Sequence, residues 1–357
     1  MSYRVIQWAT GGMGNDMLRQ VIDHPDLEIV GVKVFSEKKS GIDAGDLAGR
    51  PETGVRATMD TQAILDLEAD VVLHTPLYLF DRGPADDDVL ALLRSGKNVI
   101  SNTTGFFWPP ATPGDRPREL QKACEEGRTT VYGAGLQPAL LTSQVIPTLT
   151  GLCSTVRAIS LSEFWEFRDD PRPEFVFGVC GYGRPPEEVE GNSARAASYL
   201  EKYTETFSLT ARQLGCEVTG VDKGSELALA DHDFDIAAGT VRKGTVASIR
   251  WHIELETTGP TIRFQSVRTV LPDPKPPWEL LKSERIEIDG DPPIRSEVAI
   301  DHSFEAEFVP LTRAITSPAI LAIPEVVAAP PGILRAHVFA PWRQRLSPPE
   351  PAPWMHA

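Results

Sequence analysis

Short β-branched segments alternate with helix-like segments through the first part of the chain, and this alternation constrains the fold more than any other feature. The segments that favour strands are 3–8, 27–35, 70–75, 98–101 and 129–132, and those that favour helices are 16–23, 61–67, 86–95 and 118–127. A series of this kind builds right-handed strand–helix–strand units on a parallel sheet. The sequence therefore predicts an α/β domain with a doubly wound parallel sheet over residues 1–140.

The pattern changes after Gly151. Residues 156–167 favour an extended segment, 194–214 a helix, and 236–270 alternate apolar and polar positions on both sides of a turn at 258–260. We predict an α+β substrate and dimerisation domain over 141–310, with a mostly antiparallel sheet. Residues 311–335 are expected to form a C-terminal helix that returns to the first domain, and 336–357 a proline-rich, poorly ordered tail.

Composition narrows the classes of partner. The 357 residues carry 35 basic and 50 acidic side chains, a formal net charge of -15, with no basic run. Such a charge disfavours nucleic acids and anionic membranes, and no apolar run approaches the ~20 residues of a membrane span. Four widely spaced cysteines predict neither a metal site nor disulfides. We expect a soluble, cytoplasmic protein.

The sequence WATGGMG lies between the first strand and the first helix. Dinucleotide-binding Rossmann folds place a tight glycine turn there, and the helix N-terminus receives the pyrophosphate. Against the pattern G-x-G-x-x-G the three positions are Ala9, Gly11 and Gly14, so alanine replaces the first glycine. We predict cofactor binding by Thr10, Gly11, Gly12, Met13 and Gly14. The alternative is a tight turn that holds no ligand.

The end of the second strand distinguishes NAD from NADP. Ser36, Lys38 and Lys39 follow that strand, and a hydroxyl with two lysines suits a 2′-phosphate better than a free diol. NADP(H) is therefore favoured. Glu37 keeps NAD(H) possible, and the segment could also be a solvated loop.

Loops that follow parallel strands meet at one edge of the sheet, where ligands bind. Further cofactor-binding candidates at these positions are His74, Thr75, Pro76, Asn102, Thr103, Gln137 and Pro138. Asn102 and Thr104 are the catalytic candidates, because their side chains could hydrogen-bond the reacting group. His74 could instead be a buried strand-end histidine and Gln137 a helix cap.

Three side chains of the second domain are candidate acids or bases, namely Glu163, Glu166 and Tyr182. The two glutamates could equally be exposed strand carboxylates.

Several motifs together resemble one family. They are GGMG, VKVFSEKKSGIDAGDLAG, HTP at 74–76, GAGLQPALL, IAAGTVRKGTVASIRW and AIPEVVAAPPGIL. The chain resembles the family named after dihydrodipicolinate reductase, within it the branch of 2,4-diaminopentanoate dehydrogenase and the native amine dehydrogenases. The resemblance implies a Rossmann domain, an α+β domain, homodimers, and reduction of a C=N bond with NAD(P)H.

The chain departs from that family in three places. The histidine pair and lysine of true dihydrodipicolinate reductases are missing, which excludes the lysine-pathway reaction. The amine dehydrogenases place a glutamate where this chain reads SNTTGFFW, and their Asn-Pro-Gly is Gln137-Pro138-Ala139 here. The leading hypothesis is an NADPH-dependent enzyme that reduces a C=N bond formed from a ketone or aldehyde and ammonia. The alternatives are an NADP(H)-dependent reductase of another C=O or C=N substrate, and a non-catalytic NADP(H)-binding sensor.

Overall fold

The computed structural model describes residues 2–77, 83–103, 105–111, 114–190, 193–271, 278, 284–300 and 309–345. The strands in chain order are β1 (Tyr3–Trp8), β2 (Leu27–Lys33), β3 (Val71–His74), β4 (Asn98–Ser101), β5 (Thr130–Gly133), β6 (Thr155–Glu166), β7 (Val218–Leu229), β8 (Phe234–Ile236), β9 (Gly239–Val241), β10 (Val246–Thr257), β11 (Thr261–Thr269), β12 (Glu284–Asp291), β13 (Ile294–Val298) and β14 (Gly332–Ile333).

The helices are α1 (Gly12–Asp23), α2 (Ala44–Ala48), α3 (Thr61–Leu65), α4 (Gly83–Arg94), α5 (Arg116–Gly127), α6 (Ile146–Thr150), α7 (Pro186–Glu190), α8 (Ser193–Gln213), α9 (Pro310–Leu321) and α10 (Ile323–Ala328). Shorter or irregular helical segments are Glu37–Lys39, Pro109–Ala111, Leu136–Val145 and Glu174–Val179.

The chain forms two compact units. The first runs to Val145 and includes the C-terminal helices as far as Val338, and the second begins at Ile146 and includes Phe339–Arg345. Phe339–Arg345 is therefore not part of a free tail, since Trp342 donates its ring N–H to the Ser154 carbonyl within the second unit. The predicted proline-rich stretch from 346 onward lies outside the described residues.

The first unit contains a six-stranded parallel sheet in the order β14-β5-β4-β3-β1-β2. Successive strand residues point to opposite faces, and helices cover both, which is why the central residues of these strands are mostly apolar. Val5 packs in the core on the face of α1, α9 and α10, whereas Ile6 and Trp8 pack on the face of α4 and α5.

The second unit contains a six-stranded sheet in the order β13-β12-β6-β11-β10-β7. Its strand pairs are antiparallel except β11 with β6, which is parallel. The helix α8 lies on one face, where Tyr203 stacks on Phe264 with ring centres 3.8 Å apart. The predicted fold class, a Rossmann sheet followed by an α+β domain with a mostly antiparallel sheet, is confirmed.

One helical stretch among the described residues, Pro310–Ala328, is long and apolar enough to cross a membrane by length and composition. This is weak evidence of a span, because Ala319, Ile320, Ile323 and Val326 are buried in the core of the first unit.

Candidate cofactor and active site

The glycine turn between β1 and α1 leaves a helix N-terminus open to an anion. Ala9, at the position of the first glycine, adopts a left-handed φ of 76°. Gly11 is the N-cap residue of α1 and has no side chain to cap the helix, and a methyl group added at Gly11 or Gly12 would meet nothing within 4 Å. Backbone N–H groups at such an end are free to receive a phosphate.

Gly14 is required by packing. A methyl group there would overlap the Ala9 carbonyl oxygen and lie 2.6 Å from Thr75 Oγ1. Gln7, which the sequence reasoning missed, joins the same groups: its side-chain amide donates to Ala9 O at 2.8 Å and to Thr75 Oγ1 at 3.0 Å. The turn is thereby held against the end of β3.

The segment after β2 brings one of its two lysines to the turn. Lys39 Nζ donates to the Thr10 carbonyl oxygen at 2.6 Å and lies 3.3 Å from Thr10 Oγ1. Lys38 is exposed, and Ser36 is half-buried at the start of the helical turn Glu37–Lys39. A positive charge therefore lies beside the predicted phosphate site, supplied by Lys39.

An exposed aromatic ring precedes Ser36. Phe35 is 54% exposed, and Lys33 Nζ lies 4.6 Å from its ring centre while donating to the Met59 carbonyl at 2.7 Å. Burial lowers the pKa of Lys33. The sequence pattern places Lys33 and Phe35 in the second strand and indicates no further role for them.

His74 is fully buried at the end of β3, so its side chain packs inside the first unit and does not face solvent. Its Nδ1 lies 3.0 Å from Ser101 Oγ, which accepts the Thr103 N–H at 3.1 Å. Burial lowers the pKa of His74 to about 3, so the ring is neutral at physiological pH. The structure matches the buried strand-end alternative for this side chain. Thr75 Oγ1 donates to the Trp8 carbonyl at 3.2 Å.

Asn102, after β4, reaches the glycine turn. Its Nδ2 lies 3.1 Å from Met13 Sδ. Thr104, the other catalytic candidate, lies outside the described residues. Pro76 is half-buried, and its carbonyl accepts a long bond of 3.5 Å from Thr103 Oγ1.

Gln137 and Pro138 lie in the irregular segment after β5. Gln137 is extended (φ -130°, ψ 126°), and its side-chain nitrogen is buried without a partner among the described residues. An extended backbone is also the usual conformation of a helix N-cap residue, so the cap role stays an alternative. Pro138 is buried. The cofactor roles of both residues stay predictions.

A buried carboxylate links α1 to α9, and no sequence signal had indicated it. Asp16 accepts from Arg313 at 3.0 Å, from Thr316 Oγ1 at 2.5 Å and from Gln20 Nε2 at 2.9 Å. The C-terminal helix is thus fastened to the helix whose N-terminus faces the predicted phosphate site.

The acid and base candidates of the second unit differ in environment. Glu163 is buried, not an exposed strand carboxylate, and accepts the Tyr203 hydroxyl at 2.7 Å. Glu166 is half-buried and paired with Arg168. Tyr182 is buried against Phe167, with ring centres 6.2 Å apart.

The contacts of the first unit converge on the glycine turn. Lys39 arrives from the end of β2, Thr75 from the end of β3 and Asn102 from the end of β4. Three strand-end loops that are distant in sequence therefore surround one helix N-terminus. Within the parts of the chain that the structure describes, no group of acidic, histidine or cysteine side chains could hold a metal ion.

Known proteins share this architecture. The family described as dihydrodipicolinate reductase, N-terminus, matches residues 5–132. An amine dehydrogenase of Streptomyces virginiae is 26% identical over 314 residues, which cover 85% of this chain and 86% of the relative. A 2,4-diaminopentanoate dehydrogenase of Acetoanaerobium sticklandii is 27% identical over 158 residues, 44% of each chain. The solved amine dehydrogenase from Mycobacterium smegmatis shares the fold with a TM-score of 0.77 at 20% identity, over 94% of this chain and 95% of that chain.

These matches confirm the resemblance to the dihydrodipicolinate reductase-like family and its amine dehydrogenase branch. The prediction of an NAD(P)H-dependent oxidoreductase similar to amine dehydrogenases is confirmed with it. The substrate and the choice between NADPH and NADH stay predictions.

Proposed function

We propose that this chain is an NADPH-dependent oxidoreductase of the amine dehydrogenase type, which reduces a C=N bond formed from a ketone or aldehyde and ammonia. The observation that carries the proposal is the uncapped N-terminus of α1. Open space lies over Gly11 and Gly12, and Lys39 and Asn102 reach the same turn. This arrangement fits a dinucleotide pyrophosphate.

Different residues would bind different parts of the cofactor. Gly11 and Gly12 would bind the pyrophosphate through backbone N–H groups, and Lys39, Lys38 and Ser36 a 2′-phosphate. NADPH is proposed over NADH because a 2′-phosphate gains charge-assisted hydrogen bonds from lysine. When bound, the reduced nicotinamide supplies the hydride.

An iminium substrate suits the side chains present. It already carries the positive charge that hydride transfer neutralises, so it needs orientation and exclusion of water more than a strong acid. Asn102 directs its Nδ2 toward Met13, which leaves its Oδ1 to accept an N–H of the substrate. We assign Asn102 this orienting role, together with Thr104.

A second function is favoured by one feature. The segment 101–108, SNTTGFFW, contains no carboxylate to interact with ammonia. A reductase of another C=O or C=N substrate would need no such group, and a sensor that binds NADP(H) without catalysis would not need it either. The proposal also includes a cytoplasmic homodimer paired through the second unit, which rests on the family resemblance.

The test is NADPH oxidation by the full chain with short ketones and aldehydes, with and without an ammonium salt. We expect oxidation that requires ammonium, and Asn102→Ala should lower kcat by about tenfold or more. Gln62→Ala, on the exposed surface of α3, is the control and should leave kcat unchanged. Turnover that is independent of ammonium would select the second function, and inactivity across the panel would contradict the proposed amine dehydrogenase function.

A further inference from the structure

A group of charged side chains lies on the α8 face of the second sheet. The register that pairs Arg285 with Ser162 sets Glu284 opposite Glu163. On the other side of β6, Arg268 of β11 lies 3.6 Å from Glu163. Two carboxylates and a guanidinium therefore occupy neighbouring strands, and Glu163 and Glu284 are both buried.

Helix α8 adds two polar groups to this cluster. Tyr203 donates its hydroxyl to Glu163 at 2.7 Å. Lys202, the preceding residue, lies with its Nζ 5.0 Å from the Tyr203 ring centre and keeps partial exposure. Lys202 and Arg268 are therefore the partly exposed members of the cluster, and Lys202 is the amine among them.

The surroundings of Lys202 favour its neutral form. Burial and the nearby Arg268 cation lower the pKa of Lys202 to about 7, against the opposing effect of Glu163 and Glu284. Glu205, three residues further along α8, is buried as well. Two strands pack against the helix: β10 carries the uncharged Trp251 and Ile253, and β7 carries the exposed Lys223 opposite Ile253. Desolvation and a neighbouring cation both lower the pKa of a lysine amine, and a neutral amine is the nucleophilic form.

We propose that Lys202 is a nucleophilic amine that binds small aldehydes and ketones covalently as an imine. Its nitrogen attacks the carbonyl carbon to give a carbinolamine. The two hydrogens of the amine and the carbonyl oxygen then leave as one water, and a C=N bond forms. Protonation of that nitrogen gives a cation that Glu163 and Glu284 stabilise. The choice of carbonyl compounds rests on the proposed function, whereas imine formation requires no dinucleotide.

The experiment is reductive trapping on the full chain without cofactor, with propanal and cyanoborohydride at pH 7, read by peptide mass mapping. An amine of pKa 7 is half neutral at that pH, whereas an ordinary lysine of pKa about 10.4 is neutral in roughly 1 of 2,500 molecules. We expect propyl groups on Lys202 at least tenfold faster than on the exposed Lys223 and Lys243 of the same unit. Equal or slower labelling of Lys202 overturns the proposal.

The pH profile gives a second, independent readout. Labelling of Lys202 should rise with a midpoint near pH 7. Removing the cation in Arg268→Gln should move the midpoint to higher pH, and removing a carboxylate in Glu284→Gln should move it to lower pH, because these charges act in opposite directions. A midpoint that neither substitution moves contradicts the proposal. NADPH binding is measured separately, so failure of the proposed function and failure of this site are distinguishable.

Discussion

Two single residues of the turn, Gly14 and Gly12, are glycines for different physical reasons, which the sequence motif alone does not distinguish. Gly14 is needed because any side chain would overlap the Ala9 carbonyl, whereas Gly12 has open space around it. Open space at a helix start is where backbone can approach a phosphate closely. Gly14 therefore serves packing, and we propose that Gly12 serves ligand access.

We predict different effects for alanine at these two positions. Gly14→Ala should destabilise the protein by about 1–3 kcal/mol through overpacking, and should also weaken NADPH binding. Gly12→Ala should weaken NADPH binding with little change in Tm, because the added methyl meets no protein atom. Thermal unfolding and a fluorescence titration with NADPH measure both. Equal loss of Tm in the two variants would contradict this division.

Spacing along the sequence predicted part of the site and missed the rest. The turn, Lys39 and Asn102 follow from their positions after β1, β2 and β4, because strand ends of a parallel sheet meet at one edge. That Lys39 rather than Lys38 contacts Thr10, that His74 is buried and that Gln7 holds the turn depend on side-chain conformations, which spacing does not determine.

Among the helices, α1 forms two ion pairs with other elements, and these pairs differ in their exposure to solvent. Asp16 is buried and bonded to Arg313 of α9, while Asp23, near the other end of the helix, forms a more exposed pair with Arg50. Buried pairs cost much more to break than exposed ones, because the remaining charge lacks solvent.

We therefore predict unequal costs on the same helix. Asp16→Asn should lower the free energy of unfolding by about 3 kcal/mol, and Asp23→Asn by less than about 1 kcal/mol. Urea unfolding of the two variants measures the difference. If the Asp23 variant lost as much as the Asp16 variant, the buried link between α1 and α9 would not be a main source of stability.

The sequence pattern predicts the bounds of some elements better than those of others. β1 and β4 begin and end at the predicted residues, because apolar β-branched runs bounded by polar residues define them. Helix α1 begins at Gly12 rather than at Asp16, since the glycine turn is already its first turn. The parallel pairing of β11 with β6 joins strands about 100 residues apart, and local periodicity contains no information on such partners.

Over the whole molecule, each of the two units is built from more than one stretch of the chain. Helices α9 and α10 belong to the first unit, and Phe339–Arg345 belongs to the second. Residues of the C-terminal region up to Arg345 therefore contribute to both units, and the hydrogen bond from Thr316 to Asp16 joins α9 to a helix that lies 300 residues earlier in the sequence.

We propose that the turn at residues 9–14 holds a dinucleotide with a 2′-phosphate. The most direct measurement is thermal unfolding of the purified full chain with NADPH, with NADH and with neither. A ligand that binds only the folded state at a hundredfold excess over Kd adds about 2.7 kcal/mol of stability. We predict a higher Tm with NADPH than with NADH, and a Tm that neither dinucleotide raises would contradict a dinucleotide site at this turn.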